Sequence, residues 1–549
     1  MGKKLLPFVC LLFFSVPIVL KLLQFEVNGT IDGWAHLFRQ VLFNQALLDG
    51  QFPPRWAGGA NFGFGAPIFL FYWSLPYYLV SLFMKLGMPL IAAAHIFLAF
   101  CTVLSGVFFY LFLRNYFDKF SSFIGATMYL YAPYRLMMTF LYESWGETLA
   151  LTLGPLLLYW VGMISKKQTK GKILMGAVII FLLIISHNGL ALIFVTLAAS
   201  LILAGFKVKV FKASVLSLFG GVVASSFFWM PTIFESKKLY ISLLATSASR
   251  SPNFVSIPNM IKAGVESLQS YPAYFTSFTP GILIMVFGLL GFLAISIFLK
   301  KRASHASPLL WAGFWFLISY VLLAYQYDFL WEKIYFLKML MYPYRILVIT
   351  SVCGIFLTTA FLSLTKQYKY FFVFIIPVAV WAGLSFINPK IDKHQVDSTY
   401  FYNDQFPTYD PVQQTLMGGE DYLPKTVPRE FLGTLQNYGK PANFIEGRGA
   451  KISGNVFRNS WKASFDIKTN SDTLGTVNLF NFEGWRGKIN GEKVDLGTDS
   501  NGRITLPLTK GDLKVDLEFG ETPLRLFAKV VSVLGTVLFL VFLALIPFV

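Results

Sequence analysis

The sequence predicts a polytopic α-helical membrane protein of about 12 spans, with a cytoplasmic N-terminus and an extracytoplasmic β-sandwich domain near the C-terminus. Hydrophobic residues make up 55% of the 549-residue chain and charged residues only 13%, whereas soluble domains are about 25% charged. Apolar runs of roughly 18–25 residues recur along almost the whole length, as transmembrane helices require. We therefore expect a multi-pass protein of the cell membrane.

The candidate spans are the apolar runs at residues 5–24, 90–113, 120–141, 146–164, 172–187, 189–206, 213–231, 278–300, 308–325, 345–365, 370–388 and 525–547. The first run follows Lys3 and Lys4, and no small-residue cleavage site follows it. It is therefore interpreted as a retained span and not as a signal peptide.

Basic residues in the short loops predict the orientation. With the N-terminus inside, basic clusters near residues 114–119, 166–172, 207–212, 300–302 and 366–369 all face the cytoplasm. Residues 65–87 are also apolar, but a span there would place every one of these clusters outside. This stretch contains Pro67 and Pro76 and is rich in Trp and Tyr, which favour an interface. We expect a re-entrant or interfacial element within a large first outer loop, residues 25–89.

Three regions follow from this map: a transmembrane domain at 1–388, an extracytoplasmic β-rich domain at 389–524, and a C-terminal transmembrane helix at 525–549. A second outer loop is expected at 232–277. Within the β-rich region, apolar residues alternate along 503–508 and 513–519, which is typical of strands. Asn490-Gly491 is a hairpin turn signal. The expected fold of this region is a small β-sandwich.

The formal charge of +18 does not indicate nucleic-acid binding. Most Lys and Arg residues lie in short loops between apolar runs, and no clustered basic patch on a soluble face is visible. The three cysteines all fall within predicted spans, so they form no disulfide framework.

The first chemical signal follows the first predicted span. Asp32, His36 and Arg39 lie at positions i, i+4 and i+7, which share one face of a helix. An acid, an imidazole and a guanidinium would then point the same way at the membrane surface. The alternative is that Asp32 caps a helix and that the other two side chains are solvated.

Further ionisable residues map to the outer ends of other predicted spans: Arg135, Glu143, Glu147, His187 and Arg345. Ionisable groups near membrane segments suggest function, although helix ends also tolerate polar residues. Arginines bind phosphate oxygens through a two-pronged fork, and a carboxylate can accept the proton of an attacking hydroxyl. The set therefore suits a reaction on a lipid phosphate.

Carboxylates and imidazole also bind metals, so a divalent-metal site is a second interpretation, although the spacing matches no metal motif. The residues of such a site would be Asp32, Glu143, Glu147 and His187.

Several short motifs extend this pattern over nearly the whole chain. In order they are Asp32…His36…Arg39, LDGQFPPRW at 48–56, GFGAPIFLFYWSLPYYL at 63–79, APYR at 132–135, Gly146-Glu147, SHN at 186–188, YPYR at 342–345, DYLP at 421–424 and FEGW at 482–485. Together they resemble the GT-C superfamily of integral membrane glycosyltransferases. Within it, the chain resembles bacterial membrane proteins described as pyruvoyl-tetrahydropterin-synthase-related.

The resemblance implies a polyprenyl-phosphate-linked sugar donor and transfer outside the cytoplasm, with Asp32 at the superfamily's acidic base position. Glu147 keeps its match, whereas Glu143 stands where an arginine-containing stretch is expected. The expected substrate-binding residues are His36, Arg39, Arg55, Arg135, Glu147, His187 and Arg345.

The leading hypothesis is an inverting glycosyltransferase that moves a sugar to a cell-envelope glycan, wall polymer or lipid. Its partners are the lipid-linked donor, that acceptor and membrane lipids. No cofactor is assigned beyond the divalent-metal alternative. A transporter or flippase of lipid-linked precursors is the runner-up, but transporters tend to show internal repeats and midplane polar sites. A non-catalytic envelope assembly factor is the third hypothesis.

Overall fold

The structure is a computed structural model that describes residues 2–24, 27–28, 30–243, 254, 281–300, 306–387, 393–394, 420–435 and 445–546. Most of the predicted second outer loop (232–277) lies outside these residues. So do residues 389–392, 395–419 and 436–444 of the predicted β-rich domain.

The α-helices of the first half of the chain are α1 (Gly2–Leu22), α2 (Gly33–Leu48), α3 (Ile68–Phe71), α4 (Leu75–Lys85), α5 (Leu90–Leu113), α6 (Lys119–Leu130), α7 (Pro133–Phe140), α8 (Trp145–Lys166), α9 (Lys170–Ser186), α10 (Asn188–Ala204), α11 (Val208–Ala224) and α12 (Ser226–Glu235). Those of the second half are α13 (Ile282–Lys300), α14 (Ala306–Leu323), α15 (Asp328–Lys333), α16 (Tyr335–Lys338), α17 (Leu347–Leu364), α18 (Ile375–Ile387), α19 (Arg429–Leu432) and α20 (Pro523–Leu545).

Each of the predicted apolar runs overlaps at least one of these helices. Six stretches of the described residues are long and apolar enough to cross a membrane: Leu5–Leu22, Leu90–Leu113, Trp145–Lys166, Ala306–Leu323, Pro343–Leu364 and Pro523–Leu545. The pair α11 and α12 adds a seventh if it forms one bent span, and shorter apolar helices occupy three further runs. The chain is thus a helical membrane-type protein, and the count of 12 spans stays a prediction.

Two predicted runs are not single straight helices. The run at 120–141 divides into α6 and α7 because Pro133 lacks an N–H donor and disfavours helical geometry at the residue before it. The run at 213–231 bends by 69° between α11 and α12. At this bend the Ser225 hydroxyl donates to the carbonyl oxygen of Gly221 at 2.8 Å, a bond that favours bending of helices.

The predicted first outer loop contains two short helices. Residues 65–87, expected to lie at the interface, form α3 and α4, which have 4 and 11 residues. Both are shorter than the roughly 20 residues that a spanning helix needs. Strand β1 (Val27–Asn28) pairs antiparallel with β2 (Lys393–His394).

The C-terminal β region contains two stacked sheets, as its alternating pattern predicts. Its strands are β3 (Ile445–Glu446), β4 (Ala450–Arg458), β5 (Lys462–Thr469), β6 (Thr473–Phe480), β7 (Trp485–Ile489), β8 (Glu492–Val494), β9 (Gly497–Thr498), β10 (Arg503–Leu508) and β11 (Gly511–Phe519). One sheet has the order β3-β6-β10-β9 and the other β4-β5-β11-β7-β8. Their facing side chains form an apolar core around Phe465, Ile504 and Val515.

The predicted hairpin at Asn490-Gly491 is confirmed. It joins β7 to β8, with Ile489 opposite Glu492. Both turn residues have positive φ, 50° for Asn490 and 87° for Gly491, which a type I′ turn requires.

The β region docks on the first outer loop through aromatic side chains. Trp56 lies 5.3 Å from Trp485 and 4.8 Å from Phe519 between ring centroids. The Asp49 carboxylate accepts a hydrogen bond from Ser460 N at 2.7 Å, and the Asp49 carbonyl accepts one from Trp461 Nε1 at 2.9 Å. Trp461 and Trp485 therefore serve this contact.

Candidate active site

Two backbone hydrogen bonds place Asp32 beside the turn that precedes α8. Ile31 N donates to the carbonyl of Leu141 at 3.0 Å, and Asp32 N donates to that of Tyr142 at 2.9 Å. This pairing joins the start of the first outer loop to residues 141–147. It thereby brings Asp32 next to the first turn of α8.

Asp32 occupies the N-cap position of α2, but its side chain makes no capping hydrogen bond. Instead, the Thr30 hydroxyl accepts a hydrogen bond from Gly33 N at 3.1 Å and donates one to Glu143 Oε2 at 3.0 Å. In the described part of the chain, no hydrogen bond engages the Asp32 carboxylate. The capping alternative for this residue is therefore not what the structure shows.

Glu143 supports this arrangement from an uncommon backbone conformation, with a φ of 53°. Positive φ in a residue other than glycine is unfavourable and often occurs at functional sites. A Cβ atom at position 33 would collide with the Thr30 hydroxyl and the Glu143 carboxylate, so Gly33 is needed for their close approach. Burial raises the pKa of Glu143 to about 7, against the lowering effect of its bond from Thr30.

A second cluster surrounds Glu147, four residues after Glu143, and joins α7, α8 and α10. Glu147, in the first turn of α8, accepts a hydrogen bond from Arg345 Nε at 2.8 Å and one from the Tyr134 hydroxyl at 2.5 Å. His187, the N-cap residue of α10, places Nε2 at 3.4 Å from Glu147 Oε1. Its Nδ1 accepts from Leu190 N at 3.1 Å, so the neutral ring carries its proton on Nε2, facing Glu147.

Arg345 is the cation of this cluster. Its Nη1 donates to the carbonyl of Leu340 at 2.7 Å, and its guanidinium lies 5.0 Å from the ring centre of Tyr342. Its Nη2 has no hydrogen-bond partner among the described residues. One prong of the guanidinium is therefore available to an anion.

The electrostatic setting of Asp32 joins the two clusters. Burial raises the pKa of Asp32 from 3.8 to about 6. The positive charges of Arg39 and Arg345 lower this pKa, whereas the negative charges of Glu147 and Asp421 raise it. The side chain is nevertheless only partly shielded from solvent. Asp32 is thus a carboxyl with weakened acidity in a site that solvent reaches.

His36 and Arg39 lie on α2 as predicted, and both are buried among aromatic rings. The His36 ring stacks on Trp145 with centroids 5.1 Å apart, and its Nδ1 lies 2.8 Å from the Tyr77 hydroxyl. Burial and the charge of Arg39 hold the pKa of His36 well below its usual value, so this imidazole is neutral. The Arg39 guanidinium lies 4.6 Å from the ring centre of Tyr72, and within the described residues its buried Nε has no hydrogen-bond partner.

Two expected substrate-binding arginines contact other parts of the molecule. Arg135 Nε donates to Ser105 Oγ and its Nη1 donates to the Leu130 carbonyl, both at 2.9 Å. Arg55 Nε lies 3.4 Å from Glu521 Oε1, at the start of α20. The structure therefore brings Asp32, Arg39, Glu147, His187 and Arg345 together and places Arg55 and Arg135 elsewhere.

An apolar cavity of about 280 Å³ lies between α10, α14, α15, α16 and α17. Leu340 and Ile346 form part of its wall, and Arg345 bonds to the first of these and precedes the second. The cavity therefore reaches one residue that the Arg345 guanidinium bonds and the residue that follows Arg345 in sequence.

Comparison with known proteins identifies the family of this chain. The sequence model of the 6-pyruvoyl-tetrahydropterin synthase related domain, a membrane protein family, matches residues 69–388, more than half of the chain. The chain belongs to this family. Glu147, His187 and Arg345 lie within the matched residues of the pyruvoyl-tetrahydropterin-synthase-related domain, whereas Asp32 precedes them.

No curated protein matches the chain. Among solved structures, arabinofuranosyltransferase AftD from Mycobacteria is similar over 71% of this chain, with 14% sequence identity and a TM-score of 0.49. This region corresponds to 28% of the AftD chain.

Several residues of the site are not predicted by the sequence. Thr30, Tyr77 and Tyr134 hold Gly33, His36 and Glu147 respectively. The sequence connects the motif DYLP at 421–424 only with the family resemblance, yet the ring centre of Tyr422 lies 5.8 Å from the Arg39 guanidinium. Within the described residues no group of three His, Cys, Asp or Glu side chains is placed to hold a metal ion. The divalent-metal interpretation therefore gains no support from them.

Proposed function

We propose that this protein is an inverting membrane glycosyltransferase that moves a sugar from a polyprenyl-phosphate carrier to a cell-envelope acceptor outside the cytoplasm. The observation that carries the proposal is the Asp32 carboxyl. It has a pKa raised to about 6, makes no hydrogen bond to a described residue, and feels the positive charges of Arg39 and Arg345. A catalytic base needs this availability, and a phosphate donor needs those cations.

Asp32 acts as the general base in this proposal. An acceptor hydroxyl oxygen forms a bond to the anomeric carbon of the sugar while the bond from that carbon to the phosphate oxygen breaks. The hydroxyl proton passes to Asp32, and the polyprenyl phosphate leaves. A carboxyl with a pKa near 6 is a better proton acceptor than an ordinary Asp, because base catalysis improves as the pKa approaches the working pH.

Arg345 and Arg39 are proposed to hold the donor phosphate. The Glu147 carboxylate and the Leu340 carbonyl fix the Arg345 fork, and the remaining prong is available to a phosphate oxygen. The apolar cavity beside Leu340 and Ile346 suits the hydrocarbon chain of the same molecule. Arg39 is proposed in place of the expected Arg55 and Arg135 because its charge acts on Asp32, whereas Arg55 contacts Glu521 and Arg135 contacts Ser105.

The site is proposed to face the outside of the cell. This assignment rests on an N-terminus in the cytoplasm and on the basic loops of the predicted topology. The resemblance to GT-C glycosyltransferases implies transfer outside the cytoplasm, which supports the same orientation.

A deletion strain provides the test. We expect loss of one envelope glycan, accumulation of the unused lipid-linked sugar on the outer leaflet, and restoration of the glycan by the wild-type chain. Asp32→Asn preserves the shape of the side chain and removes its basicity. The variant protein should therefore be present in the membrane and fail to restore the glycan.

The two rival hypotheses give different results in the same strain. If the protein were a transporter, its deletion would leave the lipid-linked sugar on the inner leaflet, where an impermeant glycosidase does not reach it. If the protein were a non-catalytic assembly factor, Asp32→Asn would fully restore the envelope glycan. Either result would refute the proposed transfer.

A further inference from the structure

A large cleft lies on the β region, apart from the residues that surround Asp32. Its volume is about 1240 Å³, and one wall is the outward face of the five-stranded sheet. A single row of paired residues crosses this face: Phe457, Ser464, Asp516, Lys488 and Lys493. Lys238 and residues 424–426 also line the cleft.

The lining carries side chains of both charges, with six basic and four acidic residues. Its basic residues are Lys238, Lys425, Lys462, Arg486, Lys488 and Lys493, and its acidic residues are Glu483, Asp495, Asp516 and Glu518. Lys462 and Glu518 pair at 3.2 Å, and Lys238 pairs with Glu483. A strongly anionic polymer would favour a uniformly basic groove. A mixed lining instead fits hydroxyl groups, each of which both donates and accepts.

An aromatic ring stands at one end of the row. Phe457 is 55% exposed, on the same face as Ser464. An exposed large apolar side chain within a polar cleft is a candidate contact for the apolar face of a sugar ring. The cleft thus combines a stacking surface with polar groups that fix orientation, as small-molecule and glycan sites do.

A short segment connects the cleft to the Asp32 site. Tyr422 contacts Arg39, and Asp421 acts on the pKa of Asp32, whereas residues 424–426 line the cleft. Lys425 N donates to the Lys238 carbonyl at 2.9 Å, and the Leu423 carbonyl accepts from Tyr240 N at 3.1 Å, so the segment is held at both ends. Three residues span at most about 11 Å, so the two places are close.

We infer that this cleft binds an extended, hydroxyl-rich glycan and delivers its end past residues 422–425 to Asp32. The delivery rests on the proposed function, whereas the binding does not. The acceptor of the transfer would then be a glycan chain and not a small lipid.

The test is glycan binding by the full-length chain in lipid nanodiscs, carrying Asp32→Asn so that no transfer occurs. The probe is an array of soluble neutral glucans, mannans, galactans and arabinans, with sulfated and phosphorylated forms of each. The cleft variant is Phe457→Ala with Lys488→Gln. The matched control is Leu474→Ala with Lys468→Gln, which changes an exposed apolar residue and an exposed lysine outside the cleft.

We expect the Asp32→Asn chain to retain a subset of neutral glycans, with binding that persists at high salt. The cleft variant should bind them roughly tenfold more weakly, the effect of losing about 1.4 kcal/mol, and the control should bind them equally well. Equal binding by the cleft variant, binding restricted to charged glycans and abolished by salt, or retention of no glycan would each overturn the inference. Should Asp32→Asn restore the envelope glycan while cleft binding is confirmed, only the proposed transfer fails.

Discussion

The Thr30 hydroxyl accepts the N–H of Gly33 at 3.1 Å and so satisfies the first backbone donor of α2. The side chain at the N-cap position, Asp32, is left without a capping bond. N-cap carboxylates usually accept N–H groups of the first helical turn, and such bonds lower a carboxyl pKa. The division of labour between Thr30 and Asp32 therefore helps to keep Asp32 a usable base.

Replacing Thr30 tests this relationship. Thr30→Val preserves the shape but removes the hydroxyl, and the Asp32 carboxylate then becomes the nearest acceptor for the helix N-terminus. We expect the pKa of Asp32 to fall below about 6. The pH dependence of carbodiimide modification of Asp32, quantified by mass spectrometry, measures it. Thr30→Ser, which retains the hydroxyl, should leave the midpoint unchanged. An unchanged midpoint in Thr30→Val would show that Thr30 has no such role.

Ionised Asp32 should lower the free energy of unfolding. Its folded pKa of about 6 exceeds the ordinary 3.8, so the folded state binds the proton more tightly and ionisation destabilises it. The penalty is absent below about pH 4, grows as the pH rises to about 6, and is complete above that. Asp32→Asn should therefore raise the free energy of unfolding at pH 7 by roughly 1–3 kcal/mol. Tm should rise with it at pH 7 and should not rise at pH 4. Thermal unfolding in detergent tests this, with the exposed Asp466→Asn as control. A lower Tm at pH 7 would contradict the raised pKa.

Arg345→Lys should be a damaging substitution although it conserves charge. An ammonium cannot bond Glu147 and the Leu340 carbonyl in the geometry of the guanidinium. We expect a loss of roughly 1–3 kcal/mol in stability and failure to restore the envelope glycan. The exposed Arg448→Lys is the matched control. A double-mutant cycle with Glu147→Gln should show strong non-additivity; additive effects would mean that the two side chains act independently.

The orientation of the chain can be measured by cysteine labelling. In a background lacking Cys10, Cys101 and Cys353, Gln168→Cys lies between α8 and α9 and should be inaccessible to an impermeant reagent applied outside. Lys468→Cys, in the β region, should be labelled. If residues 65–87 crossed the membrane, Gln168→Cys would react from outside, and the predicted topology would have to be abandoned.

The contact between Asp49 and the β region should limit its opening. Asp49→Ala removes the acceptor of Ser460 N, at a cost of about 1–1.5 kcal/mol. We expect trypsin to cleave the β region roughly tenfold faster than in the wild-type chain, because a loss of about 1.4 kcal/mol in this contact raises the population of its opened state tenfold. Gel electrophoresis over time measures this. The exposed Asp512→Ala should have no effect, and an equal rate in Asp49→Ala would show that the aromatic contacts suffice.

Local sequence patterns were sufficient wherever neighbours along the chain decide the structure. The spacing of Asp32, His36 and Arg39 correctly predicts that His36 and Arg39 share α2, with Asp32 at its N-cap, because a helix repeats every 3.6 residues. The Asn490-Gly491 turn and the alternating strands follow from backbone conformation and from burial of one face. The apolar runs determine where helices form, since only long apolar helices satisfy their backbone within a membrane.

Only the tertiary structure decided which ionisable residues meet. Arg135 and Arg345 stand in nearly identical motifs, APYR and YPYR, yet Arg345 bonds Glu147 across 198 positions of sequence while Arg135 bonds Ser105. No local pattern distinguishes the two, because the partner of a buried guanidinium depends on which helices are adjacent. The same reason applies to Arg55, whose partner Glu521 lies at the other end of the chain. Sequence therefore determined the helices, the strands and the chemical types available, and helix packing selected the residues that surround Asp32.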